Sequence, residues 1–318
     1  ASSKVAQTIN SHKDFFREAE PVESPISIIL SLETMTLQLA TEGWNIDAEK
    51  DHTGRKQEAH VLAAMGYYKT LQDMGIPVNI KHIHDYDWGE ESGDPRLAII
   101  PHATAITEGQ ARAIERFVKN GNTILVSGLT GIYDPYRDFL PTQEFPLKNA
   151  LGARLKEIRF IEPYYQTQLT RPDVSLPTHL WTGIIDNLNS TALGKREEHV
   201  IATRSQFGEG ESIWIPSMVG IGAWKKDNQA LADFQKYHFH DFLKEAPFSF
   251  SRKYEHCVLR TMKSNERYLT VLTNGSKQPK RCVLNVKKEE LEPSVIWGNN
   301  KQVQMNGREI NLGLRETV

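Results

Sequence analysis

The stretch RLAIIPHATAITEGQARAIERFVKNGNTILV, residues 96–126, decides the fold class. Its opening, Arg96-Leu97-Ala98-Ile99-Ile100-Pro101, is a short apolar run of the kind that forms a strand buried on both faces. Thr107-Glu108-Gly109-Gln110 then reads as a capping box, with the threonine hydroxyl and the glutamine side chain each able to satisfy a backbone N–H at a helix start. Ile114, Phe117 and Val118 follow on one helical face, and Gly121 stands where that helix must end. Thr123-Ile124-Leu125-Val126 is a second buried strand. Strand, helix and strand in this order predict a right-handed crossover and a parallel sheet.

Working outward, the same alternation continues upstream. Ile26-Ser27-Ile28-Ile29-Leu30 is another β-branched run, and Val61, Ala64, Met65, Tyr68 and Leu71 recur at helical spacing before Gly75. Residues from Pro77 to His82 make a further strand, whereas Thr34 to Arg55 carry few periodic signals. Ahead of all this, Val5, Ile9, Phe15 and Phe16 give a weakly helical lead-in, which Pro21 and Pro25 close. Downstream, prolines interrupt residues 140–200, and only Ile158-Arg159-Phe160-Ile161 reads clearly as a strand. His199 to Thr203 and Glu211 to Ile215 form a hairpin around Gly208-Glu209-Gly210, and Asp227 caps a helix whose apolar side is Leu231, Phe234, His238 and Phe242. After Pro247 the texture changes to short runs: Cys257 to Thr261, Tyr268 to Leu272, Arg281 to Val286, Val295 to Trp297 and Gln302 to Met305. Turns such as Asn274-Gly275 and Asn306-Gly307 separate them, and the last strand, from Ile310, runs on toward Val318 with no terminating turn. The expected organisation is a lead-in helix and linker over 1–23, an α/β domain over 24–246 and a small antiparallel β domain over 247–318.

Composition narrows the function classes. With 38 Lys and Arg against 40 Asp and Glu in 318 residues, the net charge of −2 provides no field for nucleic acid or anionic lipid. No apolar run approaches the roughly 18 residues of a membrane span, and the first twenty residues do not read as a signal peptide. Two cysteines, Cys257 and Cys282, are too few for a disulfide scaffold and fit a reducing compartment. The expected location is the cytoplasm, with the periplasm as the alternative. The chain opens Ala-Ser-Ser-Lys without methionine, which suggests a piece of something longer.

Chemistry in an α/β sheet gathers at the carboxyl ends of its strands. There, Ser127-Gly128-Leu129-Thr130-Gly131 superficially matches a nucleophile elbow, but its glycines bracket Leu129 and Thr130, and no base stands nearby to activate a threonine. A glycine-permitted loop explains it better. His82 and His84 fall on one strand face, where two imidazoles can meet a metal, yet no third ligand accompanies them. His238 and His240 diverge on a helix; the first reads as packed and the second as a surface residue. Asn265-Glu266 resembles the acid dipeptide of many glycosidases but sits in a hairpin turn. Among the tryptophans, Trp44 and Trp88 lie in polar loop contexts and are the better sugar-stacking candidates, whereas Trp214 reads as core. No catalytic residue, metal site or cofactor is expected from these patterns.

The succession Ile26 to Leu30 followed by Leu32-Glu33, Tyr67-Tyr68 and Leu71, Gly75-Ile76-Pro77-Val78-Asn79-Ile80, Leu97 to Pro101, Phe117 to Val126, Thr130-Gly131-Ile132-Tyr133-Asp134 and Leu151-Gly152-Ala153 resembles the trimerisation domain of family 42 β-galactosidases. The resemblance covers about residues 23–245 and is densest from 60 to 155, with the terminal β domain similar to that family's small C-terminal domain. It implies a class I glutamine-amidotransferase-like, flavodoxin-like parallel sheet with helices on both faces, without the amidotransferase cysteine. The implied work is to join three subunits, with Leu32, Glu33, Trp44, Trp88 and Tyr133 as candidates for a neighbour's active-site wall or the subunit interface. This sequence departs from the family at Leu32, where a tryptophan is common, and at Asn122, where a second glycine is usual. The family's two catalytic glutamates lie on a (β/α)8 barrel of about 200 residues or more. Only Ala1 to Glu23 precede the first strand, so no position here inherits them, and the galactoside would be met through a barrel outside this stretch. Two alternatives from other classes are a stand-alone amidotransferase-like hydrolase acting near Ser127 to Thr130 and a carbohydrate-binding module.

Overall fold

The computed structural model describes residues 2–42, 58–89, 94–136, 145–287, 294–296 and 304–312. In chain order the elements begin with helices α1 (Ser2–Ser11) and α2 (Lys13–Glu18), strands β1 (Glu20–Pro21) and β2 (Ile26–Leu30), and helices α3 (Leu32–Glu42) and α4 (Ala59–Asp73). Strands β3 (Asn79–His82) and β4 (Leu97–Pro101), helix α5 (Glu108–Lys119), strand β5 (Thr123–Ser127) and helix α6 (Lys148–Leu151) follow. A run of strands comes next: β6 (Ala153–Phe160), β7 (Tyr165–Thr170), β8 (Asp173–Asn187), β9 (Thr191–Arg196), β10 (His199–Phe207), β11 (Gly210–Ile215) and β12 (Ser217–Met218). Helices α7 (Val219–Lys225), α8 (Gln229–His238) and α9 (His240–Lys244) lead to β13 (Phe248–Phe250), β14 (Cys257–Ser264), β15 (Arg267–Asn274), β16 (Lys280–Val286), β17 (Gln304–Asn306) and β18 (Glu309–Leu312).

Two compact units result, one made of Pro25–Thr70 and Asn79–His238, the other of Ala1–Ser24, Leu71–Val78 and Phe239–Val318. The first holds an eleven-stranded sheet. Its parallel half runs β3-β2-β4-β5-β11, with each neighbouring pair parallel. Counted along the chain, that order is second, first, third, fourth, fifth, the arrangement of a doubly wound sheet with its switch point beside the first strand. All residues of β4 and β5 are buried, so both faces of the sheet centre are covered. On one face Ile29, Ala98, Ile100, Ile124 and Val126 share a core cluster with Ile114, Phe117 and Val118 of α5. Each large apolar side chain buried there contributes about 1.5–3 kcal/mol.

The sheet is mixed, not parallel throughout. β10 turns back antiparallel on β11 with Thr203 opposite Trp214, β8 pairs antiparallel with β10 and β12, and β6, β7 and β9 extend this half. The hairpin around Gly208 is the predicted one; the rest fills the region where prolines hid the pattern. β8 explains why. From Leu176 to Ile185 nearly every residue is buried, and Leu180 takes a positive φ of 57°, so the two-residue alternation of a half-exposed strand is lost.

The second unit carries two small antiparallel sheets, β1-β14-β15 and β13-β16-β18-β17. Phe248, Phe250, Tyr254, Leu259, Leu272, Leu284 and Ile310 form its core with both cysteines. Glu20-Pro21, read from sequence as linker, is instead an edge strand on β14, a place where proline's missing N–H does no harm. The expected strand at Val295 to Trp297 is not formed at Val295 and Ile296, which are exposed and irregular; Trp297 lies outside the described residues. Asn265 and Glu266 are the turn of the β14–β15 hairpin, with Asn265 at φ 51°. Among the described residues no helix is long and apolar enough to cross a membrane.

Candidate functional site

The carboxyl ends of β2, β3 and β4 meet at the start of α3, and the chemistry there begins with unpaired helix N–H groups. A helix start leaves its first N–H groups without intrahelical partners. Ser31 caps α3: its Oγ accepts from the Thr34 N–H at 3.1 Å. The N–H of Ser31 itself donates to His60 Nε2 at 2.9 Å, and that of Leu32 donates to His82 Nε2 at 2.9 Å. His60 Nδ1 in turn donates to the Pro101 carbonyl at 2.7 Å, which fixes the neutral tautomer. Burial holds the His60 imidazole down to about 4, far below its ordinary value, so it works as an uncharged strut between two strand ends.

Glu33 occupies the first turn of α3, where a negative charge favours the helix dipole. One carboxylate oxygen pairs with His84 Nε2 and accepts from Gln110 Nε2 at 3.1 Å; the other accepts from Ser31 Oγ at 3.2 Å. Burial alone raises this carboxyl, but its own backbone N–H, the His84 imidazole and the Ser31 hydroxyl outweigh burial and hold it below the ordinary carboxylate value. His82, the last residue of β3, and His84 stack, with centroids 5.2 Å apart and planes 25° apart, although the strand ends before His84, which sits in the turn that follows and not on the strand face expected from sequence. Their ring nitrogens are turned to the Leu32 N–H and to Glu33. Among the described residues no group of three or more His, Cys, Asp and Glu is arranged to hold a metal ion.

The turn after β5 is the second feature. Gly128 has φ 65°, and a Cβ there would lie 2.8 Å from His102, whose Nδ1 accepts from the Leu129 N–H at 3.1 Å. The Thr130 hydroxyl donates to the Ser127 carbonyl at 2.7 Å and accepts from the Ala103 N–H at 3.0 Å. Thr130 is buried, so this hydroxyl is spent on holding two strand ends together and is not raised as a nucleophile.

The sequence candidates separate accordingly. Leu32 and Glu33 sit side by side at the start of α3, Leu32 with its side chain 56% exposed. Tyr133 bridges by its backbone to Ala105 and Thr104, with its ring half-buried against the core. Trp88 is no open platform: it is buried edge-on against Tyr86 and Phe117, and its N–H donates to the Ile83 carbonyl at 2.8 Å. Trp44 lies outside the described residues. Ser31, His60, His102 and Gln110 were not singled out from sequence. Gln110 alone had a signal, through its capping box, although nothing there pointed to Glu33. Trp214 is core, stacked on Phe145, and His238 packs on Phe234, as the sequence indicates.

Residues 40–238, more than half of the chain, match the family model described as the beta-galactosidase trimerisation domain. The chain belongs to the beta-galactosidase trimerisation domain family. The match runs from the last turn of α3 through α8, leaving Leu32 and Glu33, at the start of α3, before it and the terminal β strands after it. Over 158 residues the chain is 27% identical to the beta-galactosidase BgaB of Geobacillus sp. (strain Y412MC61), covering 47% of this chain and 22% of that protein. In fold it is similar to a catalytic mutant of Gan42B, a GH42 beta-galactosidase from G. stearothermophilus, at TM-score 0.71 and 16% identity over 93% of this chain and 40% of that one. It is likewise similar to the beta-galactosidase of Halorubrum lacusprofundi, at TM-score 0.65 and 15% identity over 94% of this chain and 40% of that one. The chain therefore spans about a fifth of the curated relative and two fifths of these solved enzymes. The fold likeness extends past the trimerisation domain into the terminal β region.

Proposed function

We propose that this chain is the assembling, non-catalytic part of a β-galactosidase-like glycoside hydrolase, and that it forms a homotrimer. The observation that carries the reading is the match of residues 40–238 to the trimerisation domain. Its α/β domain, residues 24–246, is a class I glutamine-amidotransferase-like fold whose nucleophile has been lost, and residues 247–318 form the separate β domain. Support comes from the strand order of the parallel half and from the turn after β5, where the Thr130 hydroxyl is engaged on both sides by backbone. Hydrolysis of terminal β-galactosides belongs to a barrel bearing two carboxyl groups. Around Glu33, the bonded partners are His84, Gln110 and Ser31, a set that positions a single carboxylate and does not flank a glycosidic bond. Leu32, Glu33, Trp44 and Tyr133 are the residues we assign to a subunit contact or to the wall of a neighbour's sugar site; Trp88 is a core residue packed on Tyr86 and Phe117. No cofactor enters this reading, and the compartment is the cytoplasm.

A panel of nitrophenyl-galactoside, glutamine and ester substrates tests the non-catalytic part. The expected result is no turnover by this chain. Turnover abolished by Ser127→Ala or Thr130→Ala would replace this reading with a stand-alone amidotransferase-like hydrolase, and galactose-dependent tryptophan quenching in a monomer would replace it with a carbohydrate-binding module.

A further inference from the structure

The two cysteines stand on strands of different sheets within the second unit. Cys257 opens β14, in the sheet β1-β14-β15, and Cys282 lies on β16, in the sheet β13-β16-β18-β17. Both are free thiols with no solvent exposure, and their sulfurs are 3.8 Å apart inside one apolar core. A disulfide needs its sulfurs at about 2.05 Å. Each strand is fixed by its own ladder, so the remaining approach of less than about 2 Å falls to side-chain rotation. A buried cysteine serves packing equally well from any point in a core; only adjacency of two makes them a redox couple.

We propose that Cys257 and Cys282 form a latent disulfide that staples the two small sheets together when the chain folds in the presence of a disulfide oxidant such as oxidised glutathione. In the first step the thiolate of one cysteine attacks a sulfur of the oxidant, breaking its S–S bond; one glutathione thiolate leaves and a mixed disulfide forms. The second cysteine, deprotonated, then attacks the protein sulfur of that mixed disulfide, releasing the second glutathione thiolate and closing the protein bond. Two protein thiols lose two protons and two electrons, and the oxidant is reduced to two thiols. With both sulfurs shut away from solvent, the exchange happens while the unit is open, and the folded core then protects whichever state was set. The closed loop, residues 258–281, encloses the rest of β14, all of β15 and the start of β16, so the bond withdraws conformational freedom from the unfolded unit.

The test refolds the full chain in a glutathione redox buffer and, in parallel, in reductant, then maps peptides without reduction. The expected product is a linked peptide pair joining Cys257 to Cys282, a chain lighter by two hydrogens, and a melting transition of the second unit raised by several degrees relative to the reduced chain. Cys282→Ser should abolish both the link and the shift. Two free thiols, glutathione adducts on either cysteine, or links between chains would each overturn the proposal. The wild-type peptide map decides the matter even where the serine variant fails to fold.

Discussion

Gln110 is used at both ends of its amide. Its carbonyl oxygen accepts from the Thr107 N–H at 2.9 Å to complete the capping box of α5, while its NH₂ donates to Glu33 at 3.1 Å. A capping box tolerates glutamate at this position, but the contact with Glu33 does not, because two carboxylates would then face each other. Gln110→Glu should therefore lower stability by about 1–2 kcal/mol near neutral pH, and the deficit should shrink as pH falls far enough to protonate one of the pair. Urea titrations at pH 7 and pH 4 read this directly; equal midpoints at pH 7 would refute the contact. His60 sets a second residue-scale expectation. Its folded pKa is depressed to about 4 by burial, whereas an unfolded imidazole titrates near 6.5. Below pH 6.5 the unfolded chain therefore binds a proton that the folded chain refuses. The stability this group supplies above pH 6.5 is lost progressively down to about pH 4, by roughly 3 kcal/mol in total. His60→Gln should flatten that limb of the pH profile in denaturant titrations, and an unchanged slope would contradict the neutral strut.

Among the elements, α5 was legible and α3 was not, and the contrast has a physical cause. α5 turns Ile114, Phe117 and Val118 into the core and closes its start with the Thr107 cap, so periodicity and capping agree. The face that α3 buries is largely polar: Thr34 and Gln38 are inside with Leu37, the first bonded to the Ala105 backbone and the second accepting from the His60 N–H. A helix that buries hydrogen-bonding side chains leaves no apolar stripe to read. Nor did the sequence reveal that α4 and α7 meet through Gly66 and Gly220. A Cβ on Gly66 would lie 1.9 Å from the Gly220 carbonyl oxygen, and one on Gly220 would lie 2.3 Å from that of Ala63. Gly66→Ala should cost about 3 kcal/mol or more, since backbone must move to admit it. Gly109→Ala, on α5 with its nearest neighbour at 3.8 Å, should instead be neutral or stabilising by up to about 1 kcal/mol. Thermal denaturation of the two variants side by side tests the distinction; a mild Gly66 variant would mean the two helices are not in close backbone contact.

At the scale of the whole chain, the parallel half of the sheet was written in runs such as Ile26 to Leu30 and Leu97 to Pro101, because strands buried on both faces need continuous apolar sequence. β8, the longest strand of the antiparallel half, was concealed by the same burial, since from Leu176 to Ile185 it shows no exposed alternation. The histidines that tie the strand ends, His60 from α4 and His102 from the turn after β4, were harder still. His60 and His102 act through nitrogens that meet backbone groups far away in sequence, a pairing that no spacing encodes. Assembly is what the sequence suggests by resemblance, and the match of residues 40–238 to the trimerisation-domain family is what supports it as the proposed work of this chain. Multi-angle light scattering across a concentration series tests that claim most directly. A homotrimer gives a mass of three chains, persisting on dilution into the low micromolar range; the mass of a single chain at every concentration would rule it out.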